Sequence, residues 1–158
     1  MKKLFAICII SAFMSACGGK TSETDEPSTG ESSIEKTSDG NPSYDPKRGT
    51  GKFTSVDINP KLDVSLADSG SAIFSVKCGS CHKLTGEKLV GPGWKGVTSR
   101  YSAVWIMNFI TNTDEMLNKD PKAQAQLEIC LVRMPNQNLS DNNARSLYEF
   151  MRQNDGVK

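Results

Sequence analysis

The chain has 158 residues, 19 basic and 18 acidic, with a formal net charge of +1. That balance sets up no strong field for nucleic acid, and the length allows one small domain with a tail rather than two full cores. The first apolar run, Leu4 to Phe13, is too short to span a bilayer, and no later segment is apolar enough to cross one. Lys2 and Lys3 precede that run, the layout of a targeting segment rather than part of a fold.

The next residues, Met14-Ser15-Ala16-Cys17, resemble a lipobox, the cleavage signal of bacterial lipoproteins. By that resemblance residues 1–16 are a signal peptide, and Cys17 becomes the first mature residue, with lipid on its sulfur and amino group. Two or three acyl chains suffice for stable anchoring. The implied location is a bacterial membrane, with the domain facing the periplasm or the cell exterior. Ordinary secretory cleavage beside Ala16 is the alternative. Either way two basic residues and no acid leave, so the mature chain stays near neutrality.

Residues 17–60 change character. Ser, Thr, Glu, Asp, Gly and Pro dominate, and Thr21 to Pro46 cannot bury enough surface to offset its ordering entropy. We expect a disordered tether there, with an r.m.s. span on the order of 35 Å. A plain spacer is the simpler alternative.

Residues 61–158 suffice for one small domain, and the expected class is all-α. Ser65 to Lys77 places Leu66, Gly70, Ile73 and Phe74 on one helical face. Cys78-Gly79-Ser80-Cys81-His82 follows and reads as a covalent c-type haem-attachment motif. Cys78 and Cys81 would add across the two haem vinyl groups, and His82, the single histidine of the chain, would ligate the iron. A dithiol pair of thioredoxin type belongs near a βαβ pattern, and none is visible. A zinc site needs four ligands, and Cys78, adjacent Cys81 and His82, and Cys130 make an awkward tetrahedral set.

Lys83 to Ser99, with Gly86, Gly91, Pro92, Gly93 and Gly96, must be mostly loop. Ala103 to Asn112 carries Trp105, Ile106, Phe109 and Ile110 on one helical face, and Trp105 reads as core. Asp120-Pro121 starts a helix running to about Leu131, with Leu127, Cys130 and Leu131 as its apolar side. Cys130 reads as a small buried apolar residue. Ser140 caps a last helix in which Ala144, Leu147, Tyr148 and Met151 repeat. Met107, Met116 and Met151 sit at helical core positions, whereas Met134 lies between helices beside Pro135.

From Leu66 to Arg152 the chain resembles a class I cytochrome c: about four short helices packed around one covalently bound haem. Gly70 and Phe74 match the first-helix pattern of that family, Leu147 and Phe150 the last-helix residues that pack across it, and Gly91-Pro92 the loop after the haem motif. The resemblance implies that the Pro92 carbonyl accepts the second N–H of His82. It implies Met134 as the other axial iron ligand, from a proline-containing loop. It also implies that Trp94 and Arg100 face the haem propionates as donors. With both axial positions filled, the implied role is a one-electron carrier between respiratory redox partners, with no small-molecule substrate. Five basic residues between Lys77 and Arg100 (Lys77, Lys83, Lys88, Lys95, Arg100) against Glu87, together with Arg133, would suit an acidic docking partner. Two other roles stay open. One is a haem enzyme or a gas or peroxide sensor in which Met134 detaches. The other is a fixed electron-entry subunit of one oxidoreductase, such as a nitrous-oxide reductase or a terminal oxidase.

Overall fold

The computed structural model describes residues 44–158. The signal peptide, Cys17 and the tether up to residue 43 lie outside the described residues. Six helices and no strand occur among those described: α1 (Val64–Lys77), α2 (Val97–Arg100), α3 (Ala103–Thr111), α4 (Thr113–Lys119), α5 (Pro121–Cys130) and α6 (Asp141–Asn154).

The longer helices start where side-chain caps satisfy their first free N–H groups. Asp63 accepts from Leu66 N–H, Ser102 from Trp105 N–H, Asp120 from Ala123 N–H and Ser140 from Asn143 N–H. The all-α expectation holds, with two helices more than expected. α2 is a single turn inside the glycine-rich loop and has no side-chain cap. α4 follows α3 after Asn112 alone, so no punctuation in the sequence separates it from its neighbour.

The centre of the fold is the packing of α1 against α6. At their crossing Gly70 is buried, and a methyl group there would overlap the Ser146 carbonyl and press on Phe150 Cβ at 2.7 Å. Phe74 stands beside this point, with ring centroids 5.5 Å from Phe150 and 4.7 Å from Trp94. Leu147, Met151, Trp105, Ile106, Met107, Ile110, Met116 and Leu117 fill the rest of the core. The three expected core methionines are therefore all inside. Cys130 is not: it is half-buried, because α5 turns that residue toward a cavity instead of the core. Leu131 departs further. It caps α5 in the left-handed region (φ 61°) and is 84% exposed.

The tether boundary at residue 60 also needs correction. Residues 44–60 lie along the helices, because buried polar groups there accept and donate to them. Asn108, fully buried, donates to the carbonyls of Arg48 and Phe53 and accepts the Phe53 N–H at 2.9 Å. Asp120, also fully buried, accepts from the Tyr44 hydroxyl at 2.5 Å and the Trp105 indole N–H at 3.0 Å. Arg152 donates to the Asn59 and Pro60 carbonyls at 2.8 and 3.0 Å. A composition-based reading misses this strap, since it is held by hydrogen bonds to side chains far away in sequence.

Beside Arg152, the buried Glu149 carboxylate accepts from Asp63 N–H at 2.8 Å, Arg145 at 2.5 Å and Arg152 at 2.6 Å. Burial pushes its pKa up, but these donors outweigh burial and hold it below the ordinary glutamate value.

Three outcomes follow. Gly70→Ala destabilises the haem-loaded protein by about 3 kcal/mol in chemical denaturation, from overpacking at the crossing. Deleting residues 1–60 costs about 3 kcal/mol or more relative to deleting residues 1–43, because Asn108, Asp120 and Arg152 lose their strap partners. The contribution of Glu149 is complete above its unfolded pKa of about 4.3 and disappears as pH falls through its lower native value. Glu149→Gln is therefore less stable at neutral pH and shows a shallower acid loss in pH-dependent melts.

Candidate functional site

The C-terminal end of α1 leads directly into the motif. His82 N–H and Cys81 N–H donate to the Cys78 carbonyl at 2.9 and 3.0 Å, a tight turn that gathers both thiols and the imidazole. The following loop folds back on this turn: Gly91 N–H reaches the Cys81 carbonyl at 2.9 Å, and Trp94 N–H reaches the Lys83 carbonyl at 2.9 Å. Gly91 is required by close approach, since a Cβ there would overlap the His82 ring, with Nδ1 only 2.8 Å away.

His82 Nδ1 lies 2.9 Å from the Pro92 carbonyl oxygen. A carbonyl can only accept, so Nδ1 carries the hydrogen and Nε2 keeps a free lone pair. Burial lowers the His82 pKa, against a smaller upward pull from that bond, which favours the neutral ring. Cys78 is buried and Cys81 half-buried, and neither forms a disulfide. Burial pushes the Cys78 thiol up to about 11, with Cys81 adding a little and Lys77 opposing.

His82 looks into a mostly apolar cleft of two lobes, about 350 and 90 Å³. His82, Pro92, Phe109, Gln126, Cys130 and Met134 line both. Met134 thus shares the cleft wall with the imidazole, and Cys81 lies at the smaller lobe. Trp94 is buried at the larger lobe, with its ring centroid 5.7 Å from that of His82. Arg100 borders the same lobe, and its guanidinium bonds the Gly93 carbonyl at 3.0 Å and the Lys95 carbonyl. Of the residues singled out in sequence for the haem, Cys81, His82, Pro92, Trp94, Arg100 and Met134 meet at this cleft, and Cys78 lies behind them in the same turn, within the core. A stacked row of Tyr101, Trp105 and Phe109, with centroids 4.3 and 5.1 Å apart, forms another part of the wall.

Gln126 and Cys130 are the wall residues that sequence reasoning missed as such. They lie four apart and so share one face of α5. Apolar periodicity marked Leu127, Cys130 and Leu131 as one packing side, of which Leu127 and Cys130 line the cleft and Leu131 does not. The charges near the cleft are also more engaged than a bare count suggests. Lys83 pairs with Glu87 at 2.7 Å, Lys88 donates to the Ile129 carbonyl at 2.8 Å, and Arg133 donates to Asn118 at 3.0 Å.

These residues fit a haem. The cleft offers an apolar wall, two unpaired thiols beside it, a neutral imidazole with Nε2 free, and a thioether. Such donors suit iron in a porphyrin and lack the four-ligand cluster that zinc would need; among the described residues no group of three or more His, Cys, Asp and Glu is placed to hold a metal ion.

Comparison with known proteins agrees. A family model for cytochrome c matches residues 67–155. A solved cytochrome c from Rhodothermus marinus is 30% identical with a TM-score of 0.64, over 66% of this chain and 90% of that one. An engineered cytochrome c from the same organism is 29% identical with a TM-score of 0.67, over 70% and 98% of the two chains. A form of that engineered protein bound to a carbene intermediate is also 29% identical, with a TM-score of 0.64. No curated protein matches the sequence. The family match takes in more than half of the chain and every residue from the thiol pair to Met151 on the cleft wall, and so this chain belongs to the cytochrome c family and carries a covalently bound haem c.

Proposed function

We propose that the protein is a one-electron carrier, tethered by lipid on Cys17 to a bacterial membrane, that passes electrons between respiratory redox proteins on the periplasmic side. Electron transfer through haem is the function of the family. The lipid anchor, the location and the partners are the proposal. The bound haem supplies a reversible single-electron change at its iron.

The chain's own residues make that change easy to repeat. Cys78 and Cys81 fasten the group, so it cannot leave with either oxidation state. Pro92 holds the His82 ring in one tautomer and one orientation and keeps Nε2 available as a ligand. Met134 offers a soft thioether, which favours ferrous iron and raises the potential. Trp94, Phe109 and Ile110 keep water away from the interior of the cleft. Arg100, on the cleft wall and bonded to the Gly93 carbonyl, would supply the positive charge that neutralises a propionate.

The observation that carries this reading is the His82–Pro92 bond in a cleft whose wall also holds Met134. His82 and Met134 would both hold the iron, an arrangement that would let an electron pass with little rearrangement.

The direct test is Met134→Ala in the haem-loaded protein. We expect loss of the long-wavelength methionine-to-iron charge-transfer band and ready binding of carbon monoxide to the ferrous form. The potential should fall by on the order of 0.1 V, within the roughly 0.8 V that axial ligands span. An unchanged band and potential would remove Met134 as ligand.

A further inference from the structure

Residues 132–139 carry Met134, and among the described residues none of their backbone groups pairs with another backbone group. Within the loop, bonding runs through side chains alone: Gln137 donates to the Pro135 carbonyl at 3.1 Å, and Asn136 accepts the Asn138 N–H at 2.9 Å. Two hydrogen-bonding side chains tie the loop to the rest of the fold. Lys77 donates to the Gln137 carbonyl at 3.2 Å. Arg133, the neighbour of Met134, donates to the Asp114 carbonyl at 3.1 Å and to the Asn118 side-chain oxygen at 3.0 Å, both on α4. The Asp114 carboxylate, 3.4 Å away and 62% exposed, adds little beside those two neutral acceptors. Leu117, also on α4, shares the wall of the smaller lobe with Met134.

The opposite side of α4 meets the strap. Asn112, at its N-cap, and Met116 lie four apart, about 200° round the helix from Asp114 and Asn118. Met116 is fully buried, and its Sδ accepts the Thr50 N–H at 3.0 Å. Asn112 donates to the Thr50 carbonyl at 3.3 Å. Gly49, at φ 66°, packs so closely that a Cβ there would lie 2.6 Å from Met116 Cε and 2.7 Å from its Sδ.

We propose that α4 is a brace that carries the hold of the strap to the Met134 loop, with Gly49 and Arg133 as positioning residues that keep the thioether on the haem iron. The inference rests on Met134 as axial ligand. A loop without backbone pairing of its own takes its position from its neighbours, and α4 is the neighbour to which Arg133 binds it. When the strap shifts, α4 shifts, and the methionine leaves the iron more often.

Imidazole, which takes the iron only while methionine is off it, measures that population. The haem-loaded full chain is oxidised and titrated with imidazole, and the loss of the long-wavelength methionine-to-iron charge-transfer band is followed. Gly49→Ala and Arg133→Gln should each raise the apparent imidazole affinity about tenfold, the effect of a lost hydrogen bond or two. Combined, they should give about tenfold again and not a hundredfold, because either change cuts the same link. Glu149→Gln, which weakens the fold away from α4, should leave the affinity unchanged, so general destabilisation is told apart from positioning. Should Gly49→Ala not fold, Met116→Leu keeps the volume and removes the sulfur acceptor, and about a threefold rise that vanishes beside Arg133→Gln carries the same meaning. A hundredfold rise in the double variant, an unchanged affinity in Gly49→Ala, or an equal rise in Glu149→Gln overturns the brace and leaves the ligand assignment standing. A Met134→Ala protein that binds imidazole no more tightly than the parent overturns both.

Discussion

The close crossing of α1 and α6 is the constraint on which the rest of the structure depends. It exists because Gly70 has no side chain, so the Ser146 carbonyl and Phe150 can approach its backbone. That contact fixes the direction in which α1 ends, and α1 ends in the thiol pair and His82. It also fixes α6, which contributes Met151 to the cleft wall. Just beyond α6, Asp155 receives the Gly96 N–H, the Thr98 N–H and the Thr98 hydroxyl at 2.6, 2.8 and 2.6 Å. Those three bonds hold the start of α2, whose Val97 and Arg100 border the cleft. One missing methyl group thereby reaches the attachment motif and the opposite mouth of the cleft.

Around that apolar centre the chain uses buried polar groups as fasteners. Asn108, Asp120 and the Glu149–Arg152 pair are all inside, and each is completed by residues between 44 and 63. A buried polar group without a partner is costly, so these side chains and the strap each make the other favourable. Asp120 links this arrangement to the site. It accepts from Trp105, and Trp105 is the middle ring of the aromatic row in the cleft wall. The strap therefore steadies part of the cleft wall.

The cleft divides its work between two kinds of restraint. On one side His82 is held by Pro92 and closely approached by Gly91. The Met134 segment is held by bonds at its edges, from Arg133 to α4 and from Lys77 to the Gln137 carbonyl. Its two flanks, Leu131 and Asn138, both have positive φ. A non-repetitive backbone of this kind places a thioether where a continuous helix would not.

The attachment motif was legible in the residues alone, because covalent chemistry requires two thiols and an imidazole at one spacing. The four longer helices were legible too, since capping residues and apolar periodicity are local signals: Asp120 and Ser140 mark the starts of α5 and α6, and apolar repeats mark α1 and α3. What only the tertiary structure decided were matters of distant partners. The strap follows from Asn108 and Arg152 meeting backbone groups, and Asp120 the Tyr44 hydroxyl, 55 to 93 residues away in sequence. The orientation of α5, with Gln126 and Cys130 on the cleft and Leu131 in solvent, follows from which neighbours surround it. Sequence determines what a short stretch can form and what chemistry its side chains can perform. Which of those side chains end up buried, paired or exposed is set by long-range packing, where the energy of each choice depends on every other.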